Sequence, residues 1–185
     1  MSVLYLPDCP TSCESALQPV SFNTCSPTFH WGEIAKVYVA PADLSLTGFD
    51  VTDLADWTAL LGDTGDDKIR TLIGMGEMAE PEITEVETSG DRKAYGYRQY
   101  TISFTIDETN DTNYSWMAMT GCNTNYLFWF ETADGVLYGG NDGIEGTAVF
   151  HQVIPKSRKE LVTFQGTFKW QNKFAPYRCD SPMAA

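Results

Sequence analysis

Hydrophobic and polar residues alternate with a period of two along most of this chain, a pattern that predicts β-strands. The clearest run is 95–107, in which Tyr100, Ile102, Phe104 and Ile106 point one way while the residues between them are mainly polar. The other predicted strands give a total of about eight: 33–40, 69–74, 83–88, 126–132, 136–139, 146–154 and 161–170. The run 126–132 (YLFWFET) is apolar on both faces, which is typical of a strand buried on both sides.

Two short segments follow a helical period instead. In 52–61, Thr52 can cap a helix, and Leu54, Trp57, Leu60 and Leu61 form one apolar face. In 112–120, Asp111 is the expected cap, and Trp116 is the largest apolar contact. The pattern therefore predicts a mainly β fold: a β-sandwich or partly closed β-barrel with one or two short flanking α-helices.

The predicted organisation is one domain with two terminal extensions. Residues 1–30 contain Pro7, Pro10, Pro19 and Pro27, which exclude a regular helix and favour an extended N-terminal arm. Residues 31–178 form the β domain, and 179–185 are expected to be a C-terminal tail. Trp57, Trp116, Trp129 and Phe104 are the predicted core residues.

The composition of the chain excludes several classes of function. The chain has 185 residues, enough for one domain of ordinary size, and 43% of them are hydrophobic. The net charge of −13 excludes a basic nucleic-acid-binding module. No apolar run approaches the roughly 20 residues of a membrane span. The first residues lack a basic, then apolar, signal pattern, so we expect no secretion.

The charge is distributed unevenly. Residues 43–91 carry thirteen acids and two bases, whereas 156–185 carry six bases and two acids. One interpretation is simply two solvated surfaces. The other is a protein whose oppositely charged faces attract one another head to tail in an assembly.

The motifs that suggest chemistry are weak. Gly74, Gly76 and Ala79 match a G-x-G-x-x-A nucleotide fingerprint, but such a loop must open a helix, and Pro81 follows within one turn. A catalytic triad would need His30 or His151, and the second lies in a strand pattern. We therefore expect no catalysis and no cofactor.

Cys9, Cys13, Cys25 and His30 have a spacing that leaves three states open. Three thiols and an imidazole could bind zinc, the thiols could form disulfides, or they could remain reduced and pack as small apolar groups. We predict no metal site, because the middle gap is short and the flanking prolines loosen the geometry.

The order of elements resembles a known family. A long strand (95–107), a short helix (112–120), a hydrophobic strand, a hairpin and two terminal strands, the last within LVTFQGTFKWQNKF (161–174), are similar to the tail-tube and related ring proteins of tailed bacteriophages. The resemblance implies a β-sandwich or barrel with a flanking helix. It also implies assembly into a ring, usually sixfold, around a DNA channel. The N-terminal arm departs from the common pattern.

The expected function is therefore that of a non-enzymatic virion structural protein, assembled in the host cytoplasm into a homo-oligomeric ring or tube. Its expected partners are itself, other virion proteins and double-stranded DNA in the channel, without a membrane. Two alternatives stay open: a capsid-auxiliary or head–tail connector protein, and a carbohydrate-binding β-sandwich module.

A DNA conduit should not bind DNA, so an acidic wall would let it slide. We accordingly expect several acids of the 43–91 segment to line the channel, with an outer, solubilising position as the alternative. The candidates are Asp63, Asp66, Asp67, Glu80, Glu82, Glu85 and Glu87.

Overall fold

The computed structural model describes residue 30 and residues 32–62, 64–65, 67–88, 92–120 and 125–183, and for 86–88 and 92–95 it describes the backbone alone. The predicted N-terminal arm thus lies almost wholly outside the described residues. Within the described ranges, neither helix has the length and apolar character needed to cross a membrane. The elements are β1 Ile34–Pro41, α1 Leu54–Leu60, β2 Arg70–Met78, β3 Glu82–Thr88, β4 Arg92–Ile106, α2 Asp111–Thr120, β5 Tyr126–Thr132, β6 Val136–Tyr138, β7 Ile144–Val153, β8 Thr163–Asn172 and β9 Arg178–Asp180.

Six of the strands close into an antiparallel barrel. Their order around the wall is β1, β2, β4, β8, β7 and β5, and β5 pairs with β1 to complete the circle. Closing a sheet on itself removes the two free edges that an open sheet would present. The predicted class, mainly β with a barrel and short helices, is confirmed.

The barrel interior holds one hydrophobic core, which we call the inner core. Tyr100, Ile102, Phe104 and Ile106 of β4 all point into it and are buried, as their alternation predicts. Aromatic rings from β8 meet them there: Trp170 stacks on Tyr100 with ring centroids 5.0 Å apart. The polar residues of β4 and β8 lie on the outside of the wall, so these strands bury one face only.

Glycines make room for the aromatic rings inside the barrel. A Cβ atom added to Gly76 would lie 2.6 Å from Cδ2 of Phe104, and one added to Gly166 would lie 2.4 Å from Cγ of Phe150. Gly74 faces the same ring of Phe104. The G-x-G spacing therefore reflects packing within a strand, where alternate residues share a face. β2 therefore continues through both glycines to Met78, beyond the predicted strand 69–74.

A second core lies outside the barrel, against the outer faces of β1 and β5, and we call it the outer core. α1, β6 and β9 cover those faces, so β1 and β5 bury both sides, as the apolar run of β5 predicts. Trp57, Trp129 and Phe104 are buried as expected, whereas Trp116 is only partly buried. The outer core consists of Tyr38, Ala40, Leu44, Phe49, Val51, Trp57, Ile69, Trp129, Leu137 and Cys179.

The two helices begin differently from the prediction. Asp53, not Thr52, caps α1, with its Oδ1 accepting a hydrogen bond from the backbone N–H of Ala55 at 2.9 Å. Asn110, not Asp111, caps α2, with its Oδ1 accepting from Asn113 N at 2.8 Å. At the start of each helix two neighbouring residues, Thr52 and Asp53 or Asn110 and Asp111, are both good N-caps. Their intrinsic capping preferences are similar and do not predict which one caps the helix. Leu54, expected on the apolar face of α1, is exposed.

The C-terminal residues belong to the domain instead of forming a tail from 179 onwards. β9 pairs with β6, opposite Val136, Leu137 and Tyr138, and Cys179 is buried in the outer core. The backbone N–H of Ser181 donates to Gly135 O at 2.7 Å. A three-residue strand carries too little alternation to be detected in sequence, which is why nine strands are found where about eight were predicted.

Candidate functional site

The first unusual feature is a two-stranded ribbon that extends beyond the barrel. β4 has 15 residues, and only its second half lies in the barrel wall: β8 pairs with it from Ile106 as far as Arg98. The pairing of β4 with β3 runs from Gln99 opposite Glu82 to Arg92 opposite Thr88, so residues 92–97 of β4 pair with β3 alone. We call β3 together with residues 92–97 of β4 the ribbon. At about 3.3 Å per residue it projects roughly 20 Å from the barrel.

Both outer edges of the ribbon lack a strand partner within the described part of the chain. β3 pairs only with β4, and residues 92–97 pair only with β3. The ribbon also exposes apolar side chains, with Ile83 49% and Tyr97 64% accessible to solvent. A lone two-stranded ribbon is marginally stable in water, and unpaired edges are sites for further pairing.

A bulge marks the base of the ribbon. Ile83 faces Arg98 and Glu85 faces Tyr95, so that Thr84 alone stands opposite Gly96 and Tyr97. A Cβ on Gly96 would lie 3.1 Å from the carbonyl oxygen of Thr84, which explains why glycine occupies this position. Bulges increase the local twist of a strand pair and redirect side chains, and this one lies where the ribbon begins.

Of the acids proposed to line a channel, those that the structure describes lie in two places. Glu80, Glu82 and Glu85 are exposed at the base of the ribbon and along β3. Glu87 lies farther along β3, opposite Lys93, and its side chain is outside the description. Asp67 is exposed in the loop before β2, so the nine residues of β2, about 30 Å, separate it from Glu80. Asp63 and Asp66 lie outside the described residues.

The second feature is an outer wall of the barrel that no described helix covers. It consists of the outward residues of β2, β4, β8 and β7, and we call it the open sheet face. Hydroxyl and amide side chains predominate on it. Its members on β4, β7 and β8 are Gln99, Thr101, Ser103, Thr105, Glu145, Thr147, Val149, His151, Gln165, Thr167, Lys169 and Gln171.

A groove of about 740 Å³ opens at the ribbon end of this face, within the size range of ligand sites. Its floor is made by outward side chains of β4, β8 and the start of β7. One wall is the loop 139–143, and the other is the segment 174–177 after β8. The lining side chains combine amides, hydroxyls, two acids, one lysine and two aromatic rings: Gln99, Asn125, Asp142, Glu145, Thr147, Lys169, Gln171, Asn172, Phe174 and Tyr177.

The loop wall of the groove is held firmly in place. Nε1 of Trp129 donates to the carbonyl oxygen of Gly140 at 2.8 Å, and Asn141 Oδ1 accepts from the backbone N–H of Val51 at 3.0 Å. Gly139 and Gly143 have φ of +136° and +69°, and a Cβ on either would lie within 2.7 Å of the Trp129 ring. These glycines let the loop lie flat on the outer core, so the wall is preformed.

One acid, Glu131, is buried, as catalytic acids often are, but its hydrogen bonds hold parts of the fold together. Glu131 is 4% exposed, and its carboxylate accepts hydrogen bonds from Lys36 Nζ (3.0 Å), Tyr38 Oη (2.7 Å) and Ser181 Oγ (2.8 Å). Burial, and then the hydrogen bond and charge of Glu131, raise the pKa of Tyr38. Since three donors surround the carboxylate and it does not line the groove, the cluster joins the C-terminal segment to β5. The sequence had indicated only an acid at the end of an apolar strand.

The cysteine and histidine hypotheses receive little structural information. Cys9, Cys13 and Cys25 lie outside the described residues, and Nδ1 of His30 is 2.8 Å from Oδ2 of Asp134. His151 is exposed on the open sheet face. Burial, together with the charges of Asp180 and Asp50, raises the pKa of Cys179 to about 11, so this thiol is a packing residue. Across the described ranges no cluster of His, Cys, Asp and Glu could hold a metal ion.

Comparison with known proteins does not assign the chain to a group: no protein-family model matches it, and no curated protein is similar to it.

Proposed function

We propose that this chain is a non-enzymatic structural protein of a tailed-bacteriophage virion, which assembles with copies of itself into a ring or tube around a channel for DNA. The proposal combines the resemblance in element order with one structural observation, the unpaired ribbon. A virion location, sixfold symmetry and contact with other virion proteins are parts of the same proposal.

The ribbon is the observation that carries self-assembly. The barrel closes on itself, whereas within the described part of the chain the ribbon has two edges without a neighbouring strand and exposes the side chains of Ile83 and Tyr97. Pairing of one copy's ribbon with a strand of the next would satisfy these edges and bury the exposed rings and aliphatic groups. A head-to-tail contact of this kind closes into a ring or continues into a tube.

The charges at the two ends of the barrel also favour a directional contact. Glu80, Glu82 and Glu85 lie at the ribbon end, and Lys156, Arg158 and Lys159 are exposed in the loop between β7 and β8 at the opposite end. Opposite charges at opposite ends attract one another in a stack of like-oriented copies. Such attraction is screened by salt, since the Debye length falls to about 3 Å at 1 M.

Light scattering coupled to size-exclusion chromatography tests the assembly. The monomer has a mass of 20.6 kDa, and the wild-type chain is expected to form rings or tubes of several copies. The double variant Ile83→Lys, Tyr97→Lys should need about tenfold higher concentration for half-assembly, a loss of roughly 1.4 kcal/mol per contact. The matched control is Ile73→Lys, Val149→Lys, which alters two exposed apolar residues on the outer wall of the barrel, away from both charged ends.

Assembly of the ribbon variant at the wild-type concentration, or a wild-type chain that stays monomeric, would contradict this role for the ribbon. Electron micrographs of the assembled protein then separate a tube from a single connector ring and from a capsid-bound auxiliary protein. The same chromatography tests the alternative of a carbohydrate-binding module, which would run as a 20.6 kDa monomer.

The channel itself is tested separately. In virions built with Glu82→Lys, Glu85→Lys and Glu87→Lys together, reversed charge on a channel wall should slow DNA ejection, and the delay should shrink as salt rises. Asp107→Lys is the control, because Asp107 is an exposed acid just after the end of β4 opposite the ribbon and lies outside the acid-rich segment 43–91. Normal ejection by the triple variant would place these acids on the outside of the assembly.

A further inference from the structure

We infer that the groove at the ribbon end of the open sheet face is a binding site for a neutral oligosaccharide. The inference goes beyond the proposed function, because it concerns a surface that neither edge of the ribbon occupies. It rests on three observations: the chemistry of the floor, the exposed aromatic rings on one wall, and the rigidity of the other wall.

The floor presents neighbouring amide groups. Gln99 of β4 and Gln171 of β8 are direct cross-strand partners on the outside of the barrel, and within the described part of the chain neither side chain forms a hydrogen bond. Thr147 and Asn125 extend the polar surface on the side of β7 and β5. Amides and hydroxyls both donate and accept, as the hydroxyl groups of a sugar do.

Two aromatic side chains stand at the edge of this floor. Phe174 is 36% exposed and Tyr177 is 44% exposed. Tyr177 packs closely on Gly140, where a Cβ would lie 2.9 Å from the ring, and its carbonyl oxygen accepts from the backbone N–H of Gly139 at 3.0 Å. A ring supported on one side and open to water on the other offers an apolar surface to the C–H groups of a sugar, with a hydroxyl at its tip.

The remaining wall does not need to form when the ligand binds. Trp129 and Val51 hold the loop 139–143 by hydrogen bonds to Gly140 and Asn141, from the buried outer core. Preformed sites lose less conformational entropy on binding, which matters for a ligand whose hydroxyl groups gain little by exchanging water for protein.

Charge and shape favour a neutral saccharide over other polymers. Asp142 and Glu145 stand against Lys169 in the lining, so a polyanion such as a nucleic acid meets net repulsion. A peptide would bind through an open strand edge or an apolar pocket. The exposed side chains of the floor are polar, and its open strand edge is limited to residues 170–172 of β8, because β7 pairs with β8 as far as Lys169 and β4 is paired on both sides.

Isothermal titration of the full chain with neutral hexasaccharides (maltohexaose, cellohexaose and chitohexaose) tests the inference. We expect binding of at least one probe, and about tenfold weaker binding in Tyr177→Ala, the size of one good aromatic contact. Gln171→Ala should also weaken binding, by roughly fivefold for a lost hydrogen bond. Thermal melting confirms that each variant is folded, and Gln171→Ala alters a surface residue that folding does not require.

Two matched controls define the site. Gln165→Ala changes the same residue type on the same face of β8, six residues or about 20 Å from Gln171. Tyr114→Ala removes a tyrosine of similar exposure on α2. Both should bind as the wild type does.

The inference is overturned if no hexasaccharide binds at about 5 mM, far above the Kd of a useful site. It is equally overturned if the controls and the groove variants lose saccharide binding alike. A neutral peptide of similar length that binds to the chain while none of the three saccharides does would also overturn it. None of these outcomes depends on whether the chain forms rings, so failure here and failure of the assembly proposal are separate results.

Discussion

The two sides of the barrel wall differ in what lies outside them. On one side, β1 and β5 are covered by α1, β6 and β9, and their residues are buried inward and outward. On the other side, β4 and β8 bury only the inward residues, and the open sheet face meets solvent. Each strand of the covered side therefore contributes two buried apolar faces to the stability of the fold, while each strand of the open side contributes one.

The largest expected effect of this difference is at Trp129. Its ring is fully buried in the outer core, with the Trp57 ring 5.5 Å away and its Nε1 bonded to Gly140. Trp129→Ala should lower the free energy of unfolding by about 3–5 kcal/mol in urea denaturation. Val149→Ala on the open sheet face should change it by less than about 0.5 kcal/mol. Equal losses from both variants would mean that the open face is covered in solution.

The buried acid of the covered side comes next. Glu131→Ala removes the acceptor for Lys36, Tyr38 and Ser181 at once. We expect a loss of about 3 kcal/mol, toward the lower end for a broken buried pair because the Lys36 side chain is 33% exposed and can be solvated. Glu145→Ala, an exposed acid of β7, is the control and should be nearly silent in the same denaturation experiment. A silent Glu131→Ala would show that the cluster is solvated.

A smaller loss of stability is expected in the inner core, where the aromatic rings leave no room for an added side chain at the glycines. Gly166→Ala places a Cβ 2.4 Å from both the Phe150 ring and the backbone of Val149, so the strands must move apart. We expect a loss of about 2 kcal/mol, as for other overpacked cores. Gly32→Ala meets nothing within 4 Å and should leave the melting temperature unchanged. A fully stable Gly166→Ala would indicate that β7 and β8 are less tightly packed.

Two buried tyrosines, one in each core, differ in whether the hydroxyl group has a hydrogen-bond partner. The hydroxyl of Tyr38, in the outer core, donates to Glu131, whereas the buried hydroxyl of Tyr100, in the inner core, has no partner among the described residues. Tyr38→Phe should therefore cost about 1.5 kcal/mol, and Tyr100→Phe should be neutral or stabilising. Chemical denaturation of both variants checks this, and a loss in Tyr100→Phe would reveal a bonded water or an undescribed partner.

A further comparison is the response of stability to alkaline pH, which we assign to the outer core. The pKa of Cys179 is raised to about 11 and that of Tyr38 is raised as well, mainly by burial. Each group stabilises the folded state below its unfolded pKa, near 8.5 for Cys and 10 for Tyr, and this stability is lost as the pH rises further. Cys179→Ala should flatten the decline between about pH 9 and 11, and Tyr38→Phe the decline above about pH 10. A decline unchanged in both variants would place its origin elsewhere.

Much of the architecture could be read from local pattern. The alternation of β4 and the continuous apolar run of β5 predicted which strands bury one face and which bury two, because each pattern reports the burial of that strand alone. The groove could not be predicted in this way. Its floor joins Gln99 to Gln171 across 72 positions of chain, and its wall depends on glycines whose left-handed conformations are required by the Trp129 ring.

The sequence by itself therefore determined the class of fold, the strands and helices that compose it, and most of the buried aromatic residues, since these follow from local periodicity and side-chain size. Tertiary structure decided how the sheet closes, that β2 runs unbroken through its glycines, and that residues 178–181 complete the domain. It also decided that the ribbon leaves the barrel and that the groove lies at its base. Those features depend on pairings between strands far apart in the chain, and such pairings are selected by the packing of the whole molecule.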